Sequence, residues 1–320
     1  MVVEKLRRAY LKVQLLLVDK SLPAATNEDI DQINKLRDDF RKFPVFDVMN
    51  SAQSLAEWQI NLNELRQCIL TKNPREFLRF PVILRTMFVD KPNYVRFELS
   101  HLQRQTNWQT TWCDLLEESK IGRPLPYLHY PQSSGNLIHS GFHVAKFIEA
   151  TGCATNWPAL IFEFGGGYGS LCRVFYKLGF KGKYIIFDFP QFSALQRYYL
   201  RGLGIRVYED TTQFKRAETG VFCVAELSQL RDLMSEVPLK SLFTATWSLS
   251  EAPQNIRNDI EPLAKKCGAF LLAYQDRFNE MDNRSYFNLW VELLKNKIEW
   301  THETIGHIPG NNYLFGAPSP

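Results

Sequence analysis

The chain has 320 residues, 45% hydrophobic and 22% charged, an ordinary globular make-up that excludes disorder as the default. Its 38 basic and 34 acidic residues leave a formal net charge of +4, scattered rather than blocked, so neither a nucleic-acid stripe nor a polybasic membrane patch is written into it. Six cysteines, at positions 68, 113, 153, 172, 223 and 267, lie far apart with no CxxC and no Cys/His ligand spacing. They are expected as buried, reduced thiols rather than a disulfide framework or a zinc site.

The N-terminus, MVVEKLRRAYLKVQLLLVDKS, carries early charges and a leucine run, but its apolar stretch VQLLLV is closed by Asp19 and Lys20, and no small-residue cleavage site follows. An amphipathic helix is expected there, not a secretion signal. No segment approaches the roughly 20 apolar residues of a membrane span, so a cytoplasmic protein is expected.

Up to about residue 155 the pattern is helical. TNEDIDQINKLRDDF has Thr26 or Asn27 as its cap, and in SLAEWQINLNELRQCIL Ser54 and Glu57 form a capping box. A further long helix is predicted through VRFELSHLQRQTNWQTTWCDLLEES. Prolines 44, 74, 81 and 92 punctuate these segments, because proline removes a donor and clashes with the preceding turn.

Beyond it the texture becomes strand, helix, strand. ALIFEF, KYIIFDF, IRVYED, SLFTATW and AFLLAYQ are short apolar runs without alternation, as expected of strands covered on both faces. SLCRVFYKLG, QFSALQRYYLRGLG and NIRNDIEPLAKKCG between them have helical periodicity and end near glycine. This alternation predicts an α/β fold: a doubly wound, mainly parallel, Rossmann-like sheet. IEWTHETIG and NNYLFGAP, flanking HIPG, predict an antiparallel terminal strand pair. The segment GVFCVAELSQLRDLM is expected to hold a short strand and helix of undefined place. The domain reading is a helical region over 1–130, acting as a lid or a dimerisation surface, and a sheet domain over 131–320.

The first strand runs into FEFGGGYGS, at the carboxyl end of a parallel strand where open sheets bind ligands. A nicotinamide fingerprint GxGxxG fails, since Ser170 stands where the third glycine is needed. What remains is ExGxGxG from Glu163 through Gly165, Gly167 and Gly169, with Gly166 and Tyr168 interleaved. An acidic residue there repels a pyrophosphate and suits a ligand with an ammonium group and a sulfonium cation, which points to S-adenosylmethionine. Asp188, 25 residues after Glu163 and followed by Phe189, is placed to accept ribose hydroxyls, and Asp210 to meet the adenine amino group.

The segment IFEFGGGYGSLCRVFYKLGFKGKYIIFDFPQFSALQRYYLRGLG resembles the class I methyltransferases of the sugar O-methyltransferase type, found in bacterial surface-polysaccharide gene clusters. SSGNLIHSGFHVAKFIEATG, SLSEAP, QDR and HIPGNNYLFG extend the resemblance over roughly residues 130 to 317. Members often carry an Asn and an acidic residue where this chain reads TATWSLSEAP. The resemblance implies S-adenosylmethionine as cofactor and a saccharide or nucleotide-sugar hydroxyl as acceptor.

Transfer to a neutral hydroxyl calls for a base or a positioning partner. The candidates are His139, Glu251 and His307, with Trp247 covering the adenosyl or sugar ring and Asp276 and Arg277 meeting the acceptor. No divalent-metal carboxylate cluster stands out. A small natural product as acceptor, and a non-catalytic partner subunit, are the competing readings.

Overall fold

The computed structural model describes residues 9, 13–16, 22–46, 53–89, 92–154 and 157–319. The predicted N-terminal amphipathic helix falls mostly outside them, with 13–16 helical. The chain divides into two compact units, Met1–Val48 with Gln59–Phe142, and Met49–Trp58 with His143–Pro320. The second unit has its main run from 143 onward and also takes in a short piece of the N-terminal half.

The first unit is helical. Helix α1 (Asn27–Lys42) starts with a capping box: Thr26 Oγ1 accepts from Asp29 N, and the Asp29 carboxylate accepts from Thr26 N. Its buried Ile33, Leu36 and Phe40 follow the helical spacing of one apolar face. In α2 (Gln53–Thr71), Leu62, Leu65, Cys68 and Ile69 are buried; the side chain of Ser54, its expected cap, lies outside the described residues. Helices α3 (Pro81–Thr86) and α4 (Pro92–Gln103) each open on a proline, where the missing N–H has no intrahelical partner to lose.

The long helix predicted after residue 94 is interrupted. Helix α4 ends at Gln103, and a wide π-type turn occupies Trp108–Trp112. Across this turn Asn107 Oδ1 accepts from Trp112 Nε1 at 2.9 Å. A small antiparallel pair, β1 (Pro126–Tyr127) and β2 (Tyr130–Ser134), precedes α5 (Gly135–Thr151), and the unit division falls within α5.

In the second unit, among the described residues, β3 (Leu160–Phe164), α6 (Ser170–Lys177), β4 (Lys183–Phe187), α7 (Pro190–Gly202), β5 (Val207–Tyr208), α8 (Thr211–Arg216), β6 (Gly220–Val224), α9 (Leu227–Leu233), β7 (Ser241–Thr246), α10 (Ser248–Glu251), α11 (Gln254–Ala264) and β8 (Ala269–Gln275) alternate as predicted. The small pair β9 (Arg277–Phe278) and β10 (Met281–Asp282) follows, then α12 (Asn283–Leu294), β11 (Ile298–Thr304) and β12 (Asn311–Pro318). Eight of the strands form one sheet in the order β11-β12-β8-β7-β3-β4-β6-β5. Pairing is parallel from β8 to β5, and β12 runs antiparallel to both β8 and β11. The expected Rossmann-like sheet with an antiparallel terminal pair is the observed fold.

Both sheet faces are covered, which explains the unalternating strands. On one face Phe162, Phe164, Phe222, Phe243 and Phe270 pack with Leu230, Ile260, Leu263 and Trp290 in a continuous core. Glu163, Tyr184, Ile186 and Thr244 occupy alternate positions on their strands and belong to the other face.

One part of the predicted strand set is revised. IRVYED contributes only the two residues of β5, at the sheet edge, while β6, from the segment of undefined place, lies between β4 and β5. Among the described residues no helix is long and apolar enough to cross a membrane.

Candidate ligand site at the carboxyl edge of the sheet

The turn from β3 into α6 is fixed by two glycines in different ways. Gly165 has φ +72° and donates its N–H to Phe187 O at 2.8 Å; a Cβ there would stand 2.3 Å from Ser248 Cβ. Gly166 lies over β4, where a Cβ would meet Ile186 Cγ2 at 2.6 Å and Glu163 Oε2 at 3.0 Å. The loop backbone is thus pressed onto its own sheet on both sides. Tyr168, expected to touch the ligand, is buried with its ring edge-on to Tyr199 at 5.1 Å.

Asp188, half-buried just beyond β4, is the hub. Its Oδ2 accepts from Gly167 N at 3.0 Å and Gln196 Nε2 at 3.0 Å, and Oδ1 accepts from Phe189 N at 2.8 Å. Gln196 also donates to Gly167 O at 2.8 Å, so one buried amide locks the loop to the carboxylate. Burial pushes the Asp188 pKa up to about 7, against the pull of these N–H bonds. A carboxylate oxygen has two lone-pair positions, so Oδ1 keeps one for a ligand hydroxyl. The buried Oε1 of Gln196 also has no partner among the described residues. These acceptors, beside a loop with no room for a side chain at Gly165 or Gly166, fit the ribose of S-adenosylmethionine. Phe189 packs against Trp58 at 6.0 Å between ring centroids, a neighbour that sequence reading missed because 130 residues separate the two.

Glu163 has a different place from the one expected. Its carboxyl is only 3% exposed and lies beneath Gly166, accepting from Tyr184 Oη at 2.9 Å. Burial, chiefly, raises its pKa to about 8, with the nearby Asp188 charge adding to the shift. At neutral pH it is therefore mostly a protonated acid supporting the loop, not a carboxylate displayed to an ammonium group.

Asp210 is exposed and caps α8, its Oδ1 accepting from Gln213 N at 2.7 Å. Since β6 intervenes, the residues that follow the strand next to β4 are Ala225 and Glu226, and Asp188 N donates to Val224 O at 3.1 Å. The strand beside β4 is thus followed by Ala225 and Glu226 and not by Asp210, an order invisible to anyone counting IRVYED as the third strand.

At the end of β7, Trp247 adopts φ +64°, an outlier for a bulky side chain. It is pinned by three bonds: its N donates to Ala273 O at 2.7 Å, its Nε1 to Asn311 Oδ1 at 2.6 Å, and Ser250 Oγ donates to its carbonyl at 2.7 Å. Ser248 Oγ donates to Phe164 O, joining this loop to the end of β3. Behind it the fully buried Arg257 donates to Ser250 O at 2.6 Å, Ala252 O at 2.8 Å and Asn283 Oδ1 at 2.8 Å. Arg257 is a positioning residue that no motif announced.

Of the acceptor-side candidates, Glu251 is half-buried beside Gln275, and burial raises its pKa while the bond from Gln275 lowers it. Asp276 anchors the neighbouring loop, accepting from Asn312 Nδ2 at 2.7 Å and pairing with Arg284 at 3.0 Å. Arg277 is exposed on β9, and His307 is half-buried on the β11–β12 turn, which the register of β12 against β8 brings to this same edge. His139 belongs to the first unit, with Nδ1 at 2.7 Å from Oε1 of the buried Glu98. The second unit's own buried histidine is His143, Nδ1 2.5 Å from Tyr313 Oη; the two lie 170 residues apart, and sequence spacing carries no signal for the pair. Among the described residues no group of three or more His, Cys, Asp or Glu side chains is placed to hold a metal ion.

No protein-family model matches this chain, and no curated protein matches it. Among solved structures it is similar to the mitomycin 7-O-methyltransferase, at 13% identity over 92% of this chain and 96% of that one, with a TM-score of 0.38. It is also similar to an rRNA methylase from Streptococcus thermophilus, at 13% identity over 57% and 96% with a TM-score of 0.39. A third likeness is to a fibrillarin pre-rRNA processing protein from Methanococcus jannaschii, at 11% identity over 52% and 69% with a TM-score of 0.34. At these values the geometry of the site, and not the likenesses, bears on function.

Proposed function

We propose that this protein is an S-adenosylmethionine-dependent O-methyltransferase acting on a hydroxyl of a saccharide or nucleotide-sugar. The observation that carries the cofactor reading is the Gly167–Asp188–Gln196 lock: a half-buried carboxylate, oriented by three N–H groups, with acceptor capacity left for a ribose. A nicotinamide dinucleotide is disfavoured by Ser170 in place of the packing glycine.

When bound, the cofactor supplies an electrophilic methyl group. In this reading Asp188 holds the ribose, Phe189 and Ala225–Glu226 flank the adenine, and Trp247 forms the wall between cofactor and acceptor. Glu251 and Asp276 offer hydrogen-bond acceptors to ring hydroxyls, and the exposed Arg277 suits a phosphate or acidic substituent. The sugar acceptor rests on the motif resemblance together with this polar edge.

The test is calorimetric titration with S-adenosylmethionine, S-adenosylhomocysteine and NAD in parallel, followed by methyl transfer from labelled cofactor to UDP-hexoses and methyl hexosides. Micromolar binding of the first two without NAD supports the cofactor. Silence from all three overturns it and favours a non-catalytic partner subunit.

A further inference from the structure

We infer that Trp58 is an aromatic cover for the adenosine end of the ligand site, its indole resting on the purine of the bound cofactor; this rests on the cofactor reading above. Trp58 comes from the N-terminal half of the chain, yet the short piece Met49–Trp58 is counted with the second unit. Within that unit its indole lies 6.0 Å from the Phe189 ring, inclined at 37°, and 5.9 Å from the Phe192 ring, edge-on at 85°.

Those two contacts fix where the indole stands. Phe189 directly follows Asp188, and its N–H is one of the three that orient that carboxylate. Phe192 shares a face of α7 with Gln196, four residues on, whose amide donates to both Asp188 and Gly167. Trp58 therefore rests on the same short stretch of chain that carries the candidate ribose acceptor.

Two features favour a ligand contact over packing alone. Phe192 is 2% exposed, whereas Trp58 and Phe189 are both only half-buried. Two touching rings thus keep uncovered apolar surface beside an oriented carboxylate, the pairing that a nucleoside matches with its base on the rings and its ribose on the acid. The second feature is strand order. Asp188 and Phe189 follow β4, between β3 and β6, whereas Trp247 and Glu251 follow β7 on the far side of β3. The indole stands on the β4 side, away from the loop after β7, and so meets the nucleoside rather than the acceptor.

Stacking on a base is indifferent to the charge on sulfur. Loss of the indole should therefore weaken S-adenosylmethionine and S-adenosylhomocysteine by the same factor, about 10-fold or more in Trp58→Ala. Trp58→Phe keeps a ring and should stay within about 3-fold of the parent. Calorimetry with both ligands reads these ratios, and chemical denaturation reports whether the variants are folded.

Fluorescence supplies a readout that stability does not move. A purine laid on an indole quenches its emission, so S-adenosylhomocysteine should quench the parent more than Trp58→Phe, in which the other six of the seven tryptophans remain. If Trp58→Ala does not fold, this comparison decides alone. Binding by the parent without Trp58-dependent quenching, or parental affinity in a folded Trp58→Ala, overturns the inference and leaves the cofactor reading intact. Absence of binding of either ligand to the parent overturns both.

Discussion

Gly165 and Ser248 are in contact across the end of the sheet: a methyl group on Gly165 would stand 2.3 Å from Ser248 Cβ, and Ser248 Oγ donates to the carbonyl of Phe164 just before the glycine. The glycine loop after β3 and the loop after β7 are therefore one mechanical piece. Gly165→Ala should destabilise the protein by about 2–4 kcal/mol, combining the strain of φ +72° with the displacement of Ser248. Gly152→Ala, at φ +67° with nothing within 4 Å, should lose only about 1 kcal/mol. Denaturant unfolding of the two variants measures the difference, and equal losses would deny the contact.

Asp188 separates folding from binding. Asp188→Asn keeps the shape but turns one of the two accepting oxygens into a donor that faces an N–H group, so it should lose about 1 kcal/mol of stability while its affinity for S-adenosylmethionine falls at least 10-fold, about 1.4 kcal/mol. Asp188→Ala leaves the N–H groups of Gly167, Phe189 and Gln196 without their acceptor and should in addition lose about 2–3 kcal/mol of stability. Calorimetry and chemical denaturation read the two effects separately.

Two carboxyls that titrate near neutrality predict a particular pH dependence. In the folded protein burial raises Glu163 to about 8 and Asp188 to about 7, from ordinary values of 4.5 and 3.8. Between these limits the folded state binds more protons than the unfolded one, so stability falls as pH rises from about 4 to 8 and then levels. Glu163→Gln should flatten the upper part of that decline in a series of thermal unfolding curves. A cationic ligand favours the ionised forms, so binding near pH 7 should release protons, seen as a dependence of the calorimetric heat on the buffer's ionisation enthalpy.

Arg257 holds the loop after β7 from behind. Arg257→Lys keeps the charge but lacks the fork that reaches Ala252 O, Ser250 O and Asn283 Oδ1 together. A loss of about 2–4 kcal/mol is expected, from acceptors left unpaired in a buried site, with faster hydrogen exchange over residues 248–253. Unchanged exchange there would mean that the loop is held by Trp247 and Ser248 alone.

Local pattern was enough for much of the sheet unit. Unalternating runs marked β3, β4, β7 and β8, glycines marked the helix ends, and the ExGxGxG stretch marked the turn from β3 into α6. These signals are short-range: a strand covered on both faces reads apolar throughout, and a positive φ or a missing Cβ selects glycine on the spot. Where the signal was local but ambiguous, reading went astray. IRVYED has the composition of a strand yet forms only the edge pair Val207–Tyr208, because strand composition does not reveal neighbours.

What the sequence by itself determined is the class of fold and the position of the glycine loop along the chain. Only the tertiary structure decided what each polar group does there. Glu163 becomes a buried acid because Tyr184 and Gly166 close over it, Asp210 is left at the sheet edge because β6 is inserted between β5 and β4, and His143 meets Tyr313 across 170 residues of chain. The physical reason is common to all three. Periodicity and turn chemistry act over a few residues, whereas burial and hydrogen-bond partnership are set by which strands the folded sheet makes neighbours.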